Sequence, residues 1–149
     1  MANVNIVLLA GNLTAAPEMR YTPSGTPVTN FSVATSRKWT NPDGSPGEET
    51  VWFRVTAWKR MAETCNQYLA KGRLVLVDGG ISGDRVPQAG GSEQIVPHIW
   101  QGQDGQPRAQ FGITAQTVRF LGGRGEAPPS EVAGAPTEEP PEEGEEIPF

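Results

Sequence analysis

Trp52, Arg54 and Trp58 stand two and four residues apart in the run Val51-Trp52-Phe53-Arg54-Val55-Thr56-Ala57-Trp58. Side chains of an extended strand alternate between two faces. Val51, Phe53, Val55 and Ala57 therefore make one apolar face, which reads as core. Trp52, Arg54, Thr56 and Trp58 make the other. Two indoles and a guanidinium on a non-core face offer non-covalent chemistry. Indole faces stack on flat π systems, at about 1–3 kcal/mol per nucleobase, and a nearby cation holds a phosphate. The competing use of such a face is packing against another protein, which Trp also favours. Arg54 between the indoles, with Lys59-Arg60 directly after them, favours nucleic acid.

The two other tryptophans sit in similar company. Trp39 follows Arg37-Lys38 at the mouth of a polar loop, and Trp100 lies beside a polar turn carrying Arg108. Aromatics interleaved with Arg and Lys suit a binder of single strands that tolerates any sequence: a π surface for any base and charge for any phosphate. Covalent chemistry has little to work with. His98 is the one histidine and reads as a solvated loop residue, so a histidine metal cluster is excluded. Asp43, Glu48 and Glu49 read as a solvated turn. Gly79-Gly80 and Gly122-Gly123 have neither the spacing nor the Lys of a phosphate-binding loop. We expect no enzyme activity, cofactor or metal.

The elements that must position these residues are mostly strands. Residues 4–10 read as a buried strand with Gly11 as a bulge. Tyr21-Thr22-Pro23-Ser24-Gly25 is a turn, 28–38 a long strand with Phe31 and Val33 on one face, and 41–47 a polar loop. A strand over 50–58 follows. Met61, Cys65, Tyr68 and Leu69 have the spacing of one apolar helix face, with Lys71 as a basic last turn and Gly72 as a stop. Residues 74–77 are a strand, 82–96 a Gly-rich irregular stretch, and Gln103-Asp104-Gly105-Gln106 a hairpin turn between short strands. A further strand spans 111–120. Many strands and one short helix between the third and fourth predict an all-β chain, a five-stranded Greek-key OB-fold barrel.

Charge divides the chain. All 12 Lys and Arg and 9 of the 17 acids fall in residues 1–125, a body of +3, although the whole chain is −5. Residues 126–149 hold eight Glu, six Pro and no Lys or Arg. Such a segment has almost nothing apolar to bury and is expected to be disordered. Its tip, Glu145-Glu146-Ile147-Pro148-Phe149, pairs acids with a small hydrophobic plug. It reads as a docking peptide in which Phe149 fills a pocket and a cation clamps the terminal carboxylate; a solubilising tail is the plainer alternative. The expected division is a single-strand-binding domain over 1–122 and an acidic docking tail over 123–149. Cys65 stands alone, so no internal disulfide forms. The apolar run 6–10 is too short for a signal and no stretch is long enough for a membrane span, so a soluble cytoplasmic protein is expected.

Taken together, several blocks resemble the bacterial single-stranded DNA-binding protein family: Asn5-Ile6-Val7-Leu8-Leu9-Ala10-Gly11-Asn12-Leu13, Pro17-Glu18-Met19-Arg20-Tyr21, Phe31-Ser32-Val33-Ala34-Thr35, Trp52-Phe53-Arg54-Val55, Tyr68-Leu69-Ala70-Lys71-Gly72, and the acidic tip ending Ile147-Pro148-Phe149. The resemblance covers nearly the whole chain. It implies an OB-fold, a homotetramer associated with the nucleoid, wrapping of single-stranded DNA, and recruitment of replication and repair enzymes through the tip. By position, Trp39, Trp52, Trp58 and Trp100 are similar to the family's base-stacking aromatics. Arg54, Arg60, Lys71 and Arg108 are similar to its phosphate contacts, to which the reading above adds Arg37 and Lys59. Three departures stand out. Trp58 occupies a position that is commonly Phe, the stretch 83–97 is longer than the usual connection to the Trp100 hairpin, and the tail is short. The alternative is an OB-fold interaction subunit of a replication assembly, whose Trp52/Arg54/Trp58 face binds protein.

Overall fold

The computed structural model describes residues 2–121. The acidic tail, its docking tip and the domain boundary at 122/123 lie outside the described residues. Ten strands and one helix follow in order: β1 (Val7–Leu13), β2 (Glu18–Tyr21), β3 (Pro27–Thr40), β4 (Pro46–Trp58), α1 (Arg60–Tyr68), β5 (Leu74–Ser82), β6 (Asp84–Pro87), β7 (Glu93–Val96), β8 (His98–Gln101), β9 (Pro107–Gln110) and β10 (Gly112–Phe120).

Five of the strands close on themselves. The order β1-β5-β10-β4-β3 is completed by pairing of β1 with β3 at Asn12↔Ala34 and Leu13↔Val33, and β2 extends the sheet beside β3. Pairing of β4 with β10 is parallel, and the other ladders of this sheet are antiparallel. This is the expected five-stranded OB-fold barrel. Its interior is filled from alternate positions of every strand: Leu9 and Leu13, Phe31 and Val33, Val55 and Ala57, Val75 and Val77, Ile113 and Ala115 are all buried. Closure removes the sheet edge at Asn12 and Leu13, while residues 7–11 of β1 pair only with β5. A register shift lies between Ala115 and Thr117 of β10, which borders β4 at Gly112–Thr114 and β5 along its length. The expected bulge at Gly11 is absent. Gly11 pairs in register with Val75, and its missing side chain serves another purpose: a Cβ there would overlap the Ala34 carbonyl where β3 crosses close by.

The helix plugs the barrel end. Ala62 and Cys65 are buried, Leu69 is buried just past the last turn, and Met61 packs partly buried against the same cluster. The buried Thr29 hydroxyl on β3 donates to the Ala62 carbonyl at 2.7 Å and fixes the helix over the barrel mouth. Burial pushes the Cys65 thiol up to about 12, so it stays protonated. The helix ends at Tyr68, so Lys71 does not lie in its last turn. Gly72, at φ 86°, turns the chain into β5 while its N–H donates to the Leu13 carbonyl.

The stretch expected to be irregular is the β6–β7 hairpin, turned at Gly90 and Gly91, both at positive φ. The face expected to be core on β4 is core only at its far end. Val55 and Ala57 are fully buried, Phe53 is partly buried, and Val51 is exposed. The reason is a missing third strand. Beyond Ala34 on β3 and before Arg54 on β4, the two strands form a ladder that no other strand flanks except at Ala34 itself. They project as a two-stranded ribbon down to Thr40↔Pro46, so Pro46-Gly47 belongs to strand and not to loop.

Candidate nucleic-acid interface

Register assembles the outer face of the barrel. Trp52 lies opposite Ala34, Arg54 opposite Ser32, Thr56 opposite Asn30, and Trp58 opposite Val28. On the other flank Gly112 lies beside Arg54 and Thr114 beside Thr56. The large side chains of β4 therefore rise between small neighbours. Thr56 donates to Asn30 Oδ1 at 2.8 Å, which occupies the polar pair between Arg54 and Trp58. Trp52 keeps 57% of its surface exposed and Trp58 keeps 43%. Both indoles thus offer faces to solvent, as the strand alternation predicts.

Arg54 stands between two hollows. A groove of about 600 Å³ lies on one side, walled by Arg54, Thr56, His98, Trp100 and Phe111. A smaller one of about 210 Å³ lies on the other, bounded by Glu18, Asn30 and Ser32. Arg54 makes no ion pair with any described acid, so its guanidinium is available to an incoming anion. The hairpin β8–β9 supplies the far wall. It is drawn toward the barrel by Gln110, whose side-chain amide donates to the Trp52 carbonyl.

Trp39 sits farther out, on the ribbon. Its ring lies over Gly47, its cross-strand neighbour, where any Cβ would collide with the indole. Its Nε1–H donates to Asn41 Oδ1 at 2.8 Å, and Asn41 in turn donates to the Ser45 hydroxyl. That hydroxyl and the Ser45 N–H both reach Asp43, holding its carboxyl below the ordinary value. Arg37 lies over the Trp39 ring at 5.3 Å.

Not every sequence-predicted cation joins the grooves. Lys71 lies in the turn at Gly72, and Lys59 and Arg60 lie at the start of α1; none of the three lines either groove. Lys59 is the one described non-glycine residue at positive φ, 57°, a strained join of about 1–3 kcal/mol that swings the chain from Trp58 into the helix. Arg108 faces Trp100 across the hairpin but is tied to Asp104 at 3.1 Å. Arg37 is paired with Glu49 at 3.0 Å and Lys38 with Glu48 at 3.7 Å. Exposed pairs of this kind contribute only about 0–1 kcal/mol, so a phosphate can displace the carboxylate. Glu49→Gln is therefore expected to tighten binding of a single strand by about 2- to 5-fold at low salt. The gain should vanish near 1 M salt, where charges are screened within about 3 Å. Titrations at two salt concentrations check it; weaker binding of the variant would show that Arg37 needs Glu49 for its placement.

Sequence reasoning missed His98, Phe111 and Gln110. His98 is exposed, as expected, but it lies on a strand and not in a loop, where it stacks on Trp100 two positions along. That two-residue spacing was the available signal.

Residues 4–121 match the model of the single-strand binding protein family. The single-stranded DNA-binding protein of Neisseria meningitidis serogroup A is 39% identical over 137 residues, covering 92% of this chain and 68% of that protein. The protein of the same description from Wolinella succinogenes is 36% identical over 121 residues, covering 81% and 66%. Among solved structures, a deletion mutant of the single-stranded DNA binding protein from Thermus aquaticus superposes with TM-score 0.60 at 28% identity, covering 81% of this chain. The match spans about half of that chain, 52%. The Plasmodium falciparum SSB in complex with ssDNA superposes with TM-score 0.62 at 23% identity, covering 81% and 97%, a likeness of fold.

Proposed function

Because the chain belongs to the single-strand binding protein family, we propose that it binds single-stranded DNA without sequence preference. It covers strands exposed in replication, recombination and repair, and acts without catalysing a reaction. The observation that carries this is the outer face of β4: exposed Trp52 and Trp58 on either side of Arg54, which has no ion-pair partner among the described residues, above an open groove that also holds Trp100. Bases stack on the indoles and phosphates meet the cations, so neither contact reads a base edge. Trp39, Trp52, Trp58 and Trp100 are the stacking residues of this reading. Arg54 is its central phosphate contact; Arg37, Lys59, Arg60, Lys71 and Arg108, none of which lines either groove, are further contacts along the path of the strand.

The same reading gives residues 1–122 to DNA and 123–149 to other proteins, with Glu145, Glu146, Ile147, Pro148 and Phe149 docking replication and repair enzymes. A homotetramer is part of it. Val4, Ile6 and Leu8 are 79%, 70% and 66% exposed, and residues 7–11 of β1 are paired only with β5, which leaves one edge open beside an apolar row. An apolar strand with one open edge is suited to a second copy. Among the described residues no helix is long and apolar enough to cross a membrane; the reading places the protein in the cytoplasm with the nucleoid.

The test is a titration with poly-pyrimidine DNA followed by intrinsic fluorescence. Stacked bases are expected to quench much of the indole emission, and affinity should fall as salt rises. Duplex DNA should bind far more weakly, since its bases are already stacked. Binding that is independent of salt, or confined to one short sequence, would overturn the proposal.

A further inference from the structure

The hairpin β6–β7 lengthens the connection between β5 and β8, yet it does not carry β8 away from the barrel. Gly83 marks why. A Cβ at Gly83 would overlap the Val96 carbonyl, so the returning strand lies against the outgoing one at the hairpin's base. Asp84 pairs there with Val96, and after Pro97 the chain begins β8 at His98. Two residues fourteen positions apart are thus placed face to face: His98 Nδ1 lies 3.1 Å and 3.3 Å from the Asp84 carboxylate oxygens. A carboxylate only accepts, so Nδ1 carries a proton and donates, which fixes the plane of the ring.

That plane is nearly parallel to Trp100. The ring centroids lie 6.0 Å apart at 15°, within the offset-stacking range. Both rings line the groove beside Arg54. The wall of the groove is therefore a two-ring π surface with a cation across from it, the combination that a stacked base and its phosphate require.

We propose that His98 is a nucleobase-stacking residue, continuous with Trp100, and that Asp84 is the residue that positions it. The inference rests on the single-strand-binding reading above and adds one stacking surface to it. It also predicts an effect whose sign a purely electrostatic account reverses. Asp84 is an anion in a groove meant for phosphates, so charge alone says that removing it tightens binding. As a positioning residue, its truncation loosens His98 and weakens binding.

The experiment measures the affinity of the full chain for a short oligothymidine, with melting temperature as a fold control. His98→Ala is expected to weaken binding by about 5- to 10-fold, the low end for loss of a stacked base. His98→Phe, which keeps a ring, should stay within about 3-fold of the parent. Asp84→Ala should weaken binding by about 2- to 3-fold. Asp84→Asn keeps an acceptor for Nδ1–H without the charge and should bind as well as the parent or better. In the His98→Ala background Asp84→Ala should no longer weaken binding and should tighten it, a non-additivity that a merely structural aspartate would not show. Trp52→Ala separates the two readings. If it weakens binding while His98→Ala does not, only this inference falls; if neither changes affinity, both fall. Tighter binding by Asp84→Ala in the parent background would overturn the positioning role.

Discussion

Replacing Trp52 by Ala is expected to weaken binding of a poly-pyrimidine strand by about 1–3 kcal/mol, which is roughly 5- to 150-fold. The expected loss is large because nothing near Trp52 can take its place. Its cross-strand neighbour is Ala34, and the next outward residue on β4 is Arg54, which offers charge but a much smaller π surface. The expected change in stability is small. More than half of the indole surface is already in water, and the Trp52 carbonyl still receives the Gln110 amide after truncation. The salt dependence should be unchanged too, since no charge is removed. Arg54→Ala is the mirror case: the slope of log affinity against log salt should drop by about one. Fluorescence-independent titrations, such as anisotropy of labelled DNA, with melting curves of each variant, read all three quantities. An affinity unchanged in Trp52→Ala at an unchanged melting temperature would move the site off this face and favour a protein-binding surface.

Deleting residues 126–149 is expected to abolish capture of partner enzymes and to leave DNA binding intact. The segment carries eight Glu and no Lys or Arg, and the remainder is +3. An acidic segment competes with DNA for basic surface, so at low salt the shortened chain should bind DNA as tightly as the parent or more so. The far smaller change Phe149→Ala should lose the partners as completely, because an aromatic plug in a pocket is where such a contact concentrates its energy. A pull-down from bacterial lysate with parent, Phe149→Ala and shortened chain, beside a DNA titration of each, decides it. Partners retained by Phe149→Ala would reduce the segment to a solubilising one. DNA binding lost on deletion would show that the two roles had been assigned to the wrong parts of the chain.

What was legible in the sequence depended on how local its cause was. The shared face of Trp52, Arg54, Thr56 and Trp58 follows from strand alternation alone, and the structure places them so. The barrel was legible because its buried positions repeat with period two in strand after strand. Val51 obeys the same alternation but is exposed, because burial there needs a third strand that the ribbon lacks. The role of Gly11 was hidden for a similar reason: what it accommodates is the Ala34 carbonyl, from another strand. The β6–β7 hairpin has four-residue strands of mixed polarity, and its pairing depends on a two-glycine turn. With that hairpin unseen, Asp84 and His98 could not be brought together, and the histidine looked idle.

The ribbon of β3 and β4 has a further consequence for how the protein moves. Its outer rungs, from Thr35↔Val51 to Thr40↔Pro46, have no third strand beside them and no place in the buried core cluster. Such a segment can open locally at a free energy well below that of global unfolding. Trp39 therefore rides on a part of the molecule with its own, lower stability, whereas Trp52 and Trp58 are mounted on the barrel wall. A strand that engages Trp39 must also quiet the ribbon, and part of the contact energy is offset by that loss of conformational entropy. Amide exchange along the ribbon should slow on binding more than exchange in the barrel, which is already rigid. If Trp39 stacks a base as proposed, the face of the barrel is a fixed platform and the ribbon an arm ordered by what it holds.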